Sequence, residues 1–354
     1  MRFAVPVTDP GEVAALADSG AAELYCGVLE PWWERRYGGH DSVSRRQGLA
    51  NLRSREDLAH VAEQARRRGL PVYLTVNGRY IAGQIDYLVG LCLDFEASGG
   101  TGLQVFDWGL MQALREAGTS LRLCLSLLGV AANTHVLAFY VDCFAISRVV
   151  FPRFLTPLQA GQLLAPFPGL EGEVMVAGDR CPLVDGYCRF YHGNACAEAA
   201  ASGEATCGTA ARAGRAARDE ASCGEASYGE AASGTAAQAG RVIRTYDTTY
   251  RTHSCRTLLG SPPNEYPCAA CAMGDLEDAG VAYAKIGGRG TPLAYRLSLL
   301  GFLRDATGLA TNEEKRRLYH EAFGSPCNCY TYLRCDAGGA SSVLHAGQGR
   351  GEAQ

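Results

Sequence analysis

Leu, Ile, Val, Met, Phe and Trp are all missing between Ala195 and Gly240, where more than half of the residues are Ala or Gly. A stretch with so little to bury cannot offset the entropy of ordering its backbone, so it is expected to be a disordered or loosely helical insertion, with a degenerate Gly-Glu-Ala recurrence at Gly203, Gly224 and Gly229. The amino-terminal residues lack a basic region followed by an apolar run; no secretion signal is expected, and a reducing, cytoplasmic setting is assigned. Long uninterrupted apolar runs are also lacking. Leu121 to Pro152 is broken by Arg122, Asn133, His135, Asp142 and Arg148, each costly in lipid, so no membrane span is expected. Neither sign of charge dominates. A formal net charge of -4 implies neither a surface coated for nucleic acid nor an acidic tail, and leaves room for local basic patches. No His-Glu-x-x-His motif and no supported Ser-His-Asp order are present, which argues against the common hydrolase chemistries.

What is present is size and periodicity. The 354 residues, 47% of them hydrophobic, suffice for one large barrel-type domain with an appendage. Short apolar runs alternate with amphipathic stretches, as in repeated strand-helix units around a parallel sheet. Strands are predicted at Phe3 to Val7, Glu23 to Cys26, Val72 to Val76, Gly102 to Phe106, Arg122 to Ser126, Arg148 to Phe151, Glu173 to Val176 and Val281 to Ile286. Helices are predicted at Gly11 to Ser19, Ser54 to Arg68, Asp86 to Ala97, Trp108 to Ala117, Thr156 to Leu164 and Pro292 to Thr307, with a short one closing at Asp275 to Gly280. So many successive units favour an α/β fold closed as a TIM-like barrel. The expected division is residues 1–194 as the first part of the barrel and 195–240 as the low-complexity insertion. Residues 241–310 then carry a cysteine-bearing segment with the last barrel strand, and 311–354 a C-terminal helix and Cys-rich tail.

Fifteen cysteines are many, and the number is odd. In a chain of this size without a secretion signal they suggest metal or redox chemistry before a disulfide framework. Cys181 and Cys188 follow a strand-like segment, separated by a Pro and an Asp-Gly turn that let both sulfurs face one point. Cys255, Cys268 and Cys271 can complete a four-thiolate site. Thiolates at this spacing suit iron and sulfide or zinc, and the residues alone do not separate the two. Cys26, Cys92, Cys124 and Cys143 sit in apolar surroundings and are expected in the core, whereas Cys327, Cys329 and Cys335 form a second group near the C-terminus, as a metal or redox pair or as plain surface thiols.

Three stretches carry a resemblance. They are Ala4-Val-Pro with Ala22-Glu-Leu-Tyr-Cys-Gly27, then Glu173 to Cys188, and then Cys268 through Gly280 to Lys285-Ile-Gly-Gly-Arg289. Together they resemble the peptidase U32, or collagenase-like, family, which includes proteins of ubiquinone biosynthesis and of RNA hydroxylation. The resemblance implies a four-iron, four-sulfur cluster held by Cys181, Cys188, Cys268 and a fourth cysteine, with Cys255 favoured and Cys196, Cys207 and Cys223 as alternatives. It further implies oxygen-independent hydroxylation of an aromatic ring or nucleobase, with prephenate as a source of the hydroxyl oxygen and a protein partner or RNA among the interaction partners. Two departures matter: Ala177 stands where the family has His, and Gly287 where it has a carboxylate.

Chemistry in such a barrel sits at the C-terminal ends of the strands. Lys285 and Arg289, late in the chain, suit a carboxylate or phosphate and are candidate substrate-binding residues with Asn77; a solvated pair is the alternative for the two cations. Asn133 is a further polar cavity candidate, and Asp107 and Asp179 candidates for moving protons, each with strand-end capping as its alternative. Trp32 and Trp33 with Arg35, Arg36, Arg45 and Arg46 read as an aromatic, basic loop that stacks on a base or covers the mouth. Besides the hydroxylase, a peptidase and a cluster-bearing accessory subunit without turnover remain as alternatives. A cysteine peptidase would need a His partner, for which His192 and His253 lie nearest the cysteines in sequence.

Overall fold

The computed structural model describes residues 1–37, 43–44, 50–178, 185 and 268–324. Eight parallel strands close into a barrel in sequence order. They are β1 (Arg2–Pro6), β2 (Glu23–Cys26), β3 (Val72–Val76), β4 (Gly102–Val105), β5 (Arg122–Leu125), β6 (Arg148–Val150), β7 (Glu171–Ala177) and β8 (Val281–Ile286). Around them lie α1 (Val13–Asp18), α2 (Pro31–Tyr37), α3 (Arg55–Arg67), α4 (Ala82–Ala97), α5 (Trp108–Glu116), α6 (Thr134–Phe144), α7 (Pro157–Leu164), α8 (Met273–Asp278), α9 (Leu293–Thr307) and α10 (Asn312–Phe323). The TIM-like barrel expected from the strand-helix alternation is therefore the observed fold. The insertion at 195–240 and the tail from 325 onward lie outside the described residues.

Period-two alternation divides the strand residues between two environments. Phe3, Val5, Leu24, Cys26, Leu74, Val76, Leu103, Val105, Val149, Val176 and Ile286 face outward and build one core with the helices. Inside, Tyr25, Tyr73, Cys124 and Val150 form a second, smaller cluster.

The helices begin where the sequence supplies caps. Ser54 accepts from the Asp57 amide at 3.0 Å to start α3, and Thr156 with Gln159 makes a capping box at α7. Asp107 accepts from the Leu110 amide at 3.0 Å and Asn133 from that of Val136 at 2.9 Å, so these two residues start α5 and α6. Capping, the alternative given for each, is thus what the structure shows of both. At the barrel's seam α9 is fastened to β1 by Arg296, whose Nη1 donates to the Pro6 carbonyl at 2.7 Å and to Glu12 Oε2 at 2.8 Å.

Two expectations are corrected. The Trp32-Trp33 stretch is the helix α2, with Trp33 fully buried against Tyr37 and Tyr87 at ring separations of 4.6 and 5.0 Å, so that indole is core and has no face left for a base; Trp32 is half-buried, and Arg45 and Arg46 lie outside the described residues. Cys143, expected inside, is exposed on the last turn of α6, because the helix presents Leu137, Tyr140 and Phe144 to the core instead.

Candidate active site in the barrel and at its mouth

Charged residues occupy the first inward positions of β2, β6 and β7. Arg148 Nη1 donates to both carboxylate oxygens of Glu23, at 2.7 and 2.9 Å, and to Glu173 at 3.2 Å. Its Nη2 reaches Glu171 at 3.2 Å. The guanidinium lies between two rings, 3.5 Å from the centroid of Tyr283 and 4.7 Å from that of Tyr73. Glu173 also accepts from Lys285 Nζ at 2.7 Å, and that ammonium sits 4.0 Å over the ring of Tyr25. Tyr25 is oriented in turn by donating to the Ile286 carbonyl at 2.7 Å. Such a network is stable only because nearly every charge has a partner.

Burial sets the protonation of this group. It pushes Glu23 up to about 7, a shift that the Arg148 hydrogen bond opposes and the negative charge of Glu173 assists. Burial acts on Glu173 in the same sense, but there Lys285 and Arg148 outweigh it and hold the carboxyl below the usual range. Cys26 is pushed up to about 12, and Cys92 and Cys124 are also pushed up, all by burial. These three thiols are protonated core residues, as expected from their apolar surroundings, and none is an activated nucleophile.

Nearer the C-terminal mouth neutral polar groups surround one buried cation, Arg289. Asn77, just past β3, donates from Nδ2 to Ser126 Oγ at 3.2 Å. Arg289 is buried and donates to Ser44 Oγ at 3.1 Å, and Ser44 is 2.8 Å from Asn51 Oδ1. A Cβ on Gly27 would come within 2.2 Å of Arg289 Nη1 and 2.4 Å of Asn51 Oδ1, so the glycine makes room for this cluster at the end of β2. Lys285 and Arg289 are thus both buried, which removes the solvated-pair alternative; Lys285 lies within β8 and not at its end.

The end of β7 is anchored on two sides. The Ala177 carbonyl accepts from the Gly287 amide at 2.7 Å, and Cys268 forms an antiparallel bridge to Ala177, with the Ala269 amide donating to Val176 at 2.7 Å. Cys268, one of the proposed ligands, is therefore buried at the mouth. Asp185, which stands between Cys181 and Cys188 in sequence, is buried too and accepts from the Arg153 amide at 2.7 Å and its Nε at 2.9 Å, just beyond β6. Cys181, Cys188, Cys255, Cys327, Cys329, Cys335 and Asp179 lie outside the described residues. Among the described residues no three His, Cys, Asp or Glu side chains gather as a metal site.

Gly178 carries the turn out of β7. Its φ is +91°, and a Cβ there would lie 2.7 Å from the carbonyl carbon and oxygen of Gly287. Gly178→Ala is expected to cost about 2 kcal/mol, because the positive φ disfavours a side chain and the atoms it would meet are backbone of Gly287, which cannot swing away. Thermal unfolding checks this, and an unchanged midpoint would contradict it.

The fold and the buried network define a barrel with its polar machinery enclosed by the strands. The model of peptidase family U32 matches residues 9–325, and the chain belongs to that family. No curated protein matches it. Among solved structures it is similar to the U32 peptidase Mk0906, with 12% identity, a TM-score of 0.38, and coverage of 50% of this chain and 69% of that one. A 2,3-dimethylmalate lyase gives 13% identity and a TM-score of 0.32, covering 49% of this chain and 66% of that one. A glycerophosphodiester phosphodiesterase from Agrobacterium tumefaciens gives 16% and 0.34, covering 51% and 87%. At such scores these likenesses carry no functional weight.

The sequence signal of the interior network is a charge interrupting an apolar strand, at Glu23, Arg148 and Glu173.

Proposed function

We propose that this member of the U32 family is an iron-sulfur protein that catalyses or assists oxygen-independent hydroxylation of an aromatic ring or a nucleobase. Cys181, Cys188, Cys255 and Cys268 would hold a four-iron, four-sulfur cluster, with zinc on the same thiolates as the alternative. One observation carries the reading. Asp185, inside the Cys181 to Cys188 segment, and Cys268 are tied to the C-terminal ends of the adjacent strands β6 and β7. Cys181 follows Gly178 by three residues, and three residues of chain reach no further than about 11 Å. When bound, such a cluster supplies one-electron transfer. The chain's own residues would do the rest: Arg289 at the mouth meets the charged end of an anionic donor such as prephenate, Asn77 orients it by hydrogen bonding, and Lys285 with Glu173 holds a fixed dipole beneath it. A hydrolase is the weaker reading, since among the described residues the histidines His60, His135 and His320 are exposed on α3, α6 and α10, while the candidates His192 and His253 lie outside the described residues.

The test is anaerobic purification with iron, sulfide and zinc analysis. About four irons and four sulfides per chain are expected, with loss of the visible absorption in Cys181→Ser and Cys268→Ser. Stoichiometric zinc, or no metal, would overturn the cluster. Loss of one ring hydroxyl from quinone or RNA in a deletion strain would be the expected cellular result.

A further inference from the structure

Three buried polar atoms on the adjacent strands β3 and β4 have no hydrogen-bond partner among the described residues: Tyr73 Oη and Thr75 Oγ1 on β3 and Gln104 Nε2 on β4, of which Thr75 and Gln104 lie side by side. Thr75 is 2% exposed and Gln104 3%. The two residues are register partners, and Gln104 is in turn the partner of Cys124 on β5. Cys124 belongs to the interior cluster, so all three point into the barrel. An orphaned buried polar group costs free energy, and two side by side on one wall need an explanation.

The surroundings indicate what would satisfy them. Across the same interior lie Val150, Met175 and Leu127, an apolar wall. Met175 faces inward beside Lys285 and is only half-buried, so solvent reaches the barrel to that depth. The interior charges near this level are already matched, Lys285 to Glu173, and Arg148 to Glu23, Glu173 and Glu171. An anionic group next to Thr75 and Gln104 would meet donors but no uncommitted cation. A neutral oxygen would meet two donors, an amide and a hydroxyl, at no electrostatic cost.

We propose that Thr75 and Gln104 are specificity-determining residues of a ligand site inside the barrel, which receives the neutral oxygen, hydroxyl or carbonyl, of a small ring compound whose apolar face lies against Val150, Met175 and Leu127. This deepens the proposed function by placing the ring within the barrel, and it rests on that reading only for the ring's role in a reaction. Full-length protein, purified anaerobically, is titrated with phenol, benzoate and toluene by calorimetry. Phenol is expected to bind saturably, with benzoate and toluene at least about tenfold weaker. Thr75→Val and Gln104→Leu are each expected to weaken phenol at least about tenfold, while the unligated variants melt no lower than the parent, since each loses an orphaned polar atom. The proposal is overturned by absence of phenol binding, which would leave the two groups to a trapped water. It is overturned equally by benzoate binding more tightly, by unchanged affinity in both variants, or by a lower melting temperature in both. Iron and sulfide in the same samples report on the cluster separately, so failure here leaves the cluster standing, and loss of metal leaves this site standing.

Discussion

Replacing Arg148 with Met is expected to lower the unfolding free energy by about 3–5 kcal/mol, the largest effect of any single change considered. Met keeps most of the volume between Tyr73 and Tyr283, so little of the loss would come from a cavity. The loss would come from charge. Glu23 and Glu173 are both fully buried, and with the guanidinium gone they would face each other with Lys285 as their one remaining cation in direct contact. Part of the penalty disappears if a carboxylate takes up a proton, and the same relief can be built in. Arg148→Met with Glu23→Gln is expected to recover a substantial share of the stability, so the two changes should be strongly non-additive. Urea unfolding of the two single variants and the double variant measures this. A loss below about 1 kcal/mol for Arg148→Met would show that the network contributes little.

Glu23 should also make stability depend on pH in an unusual direction. Its carboxyl is raised to about 7 by burial, with Glu173 adding to the effect and Arg148 opposing it. An unfolded chain would release that proton near pH 4.3. The folded state therefore holds the proton more tightly, and the resulting stabilisation is complete below the unfolded value. It is lost as pH rises through about 7, and the difference is worth about 4 kcal/mol. Glu173 behaves oppositely. Lys285 and Arg148 overcome its burial and hold it below the usual range, so its contribution is present above that range and lost as pH falls. The two windows barely overlap. Stability is expected to decline from pH 5 to pH 8 in the parent chain and to stay nearly level in Glu23→Gln. Denaturant titrations at several pH values check it, and an equal slope in both proteins would exclude Glu23 as the source.

The barrel was legible because parallel strands covered by helices read as short apolar runs with turn residues at their ends. Glu23 to Cys26, Val72 to Val76 and Val281 to Ile286 are found with the expected bounds. Two helices have little signal of their own: the tryptophan pair of α2 reads as a binding loop, and α6 lies within a long apolar stretch. Lys285, Arg289 and Asn77 came into view through resemblance and a strand-end argument. The network beneath them did not, because Arg148 meets Glu23 across 125 residues of sequence, and no local pattern tells which of two distant charges will share a barrel interior.

The last strand enters the barrel late. β7 ends at position 177 and β8 begins at 281, yet these two pair side by side, with Glu173 opposite Tyr283. The entropy of returning across such a gap grows only with the logarithm of its length, so a twofold change in the intervening chain alters the balance by about 0.6 kcal/mol. The length of that excursion can therefore change at small thermodynamic cost, provided that the bridge between Ala177 and Cys268 still fastens its two ends beside the mouth.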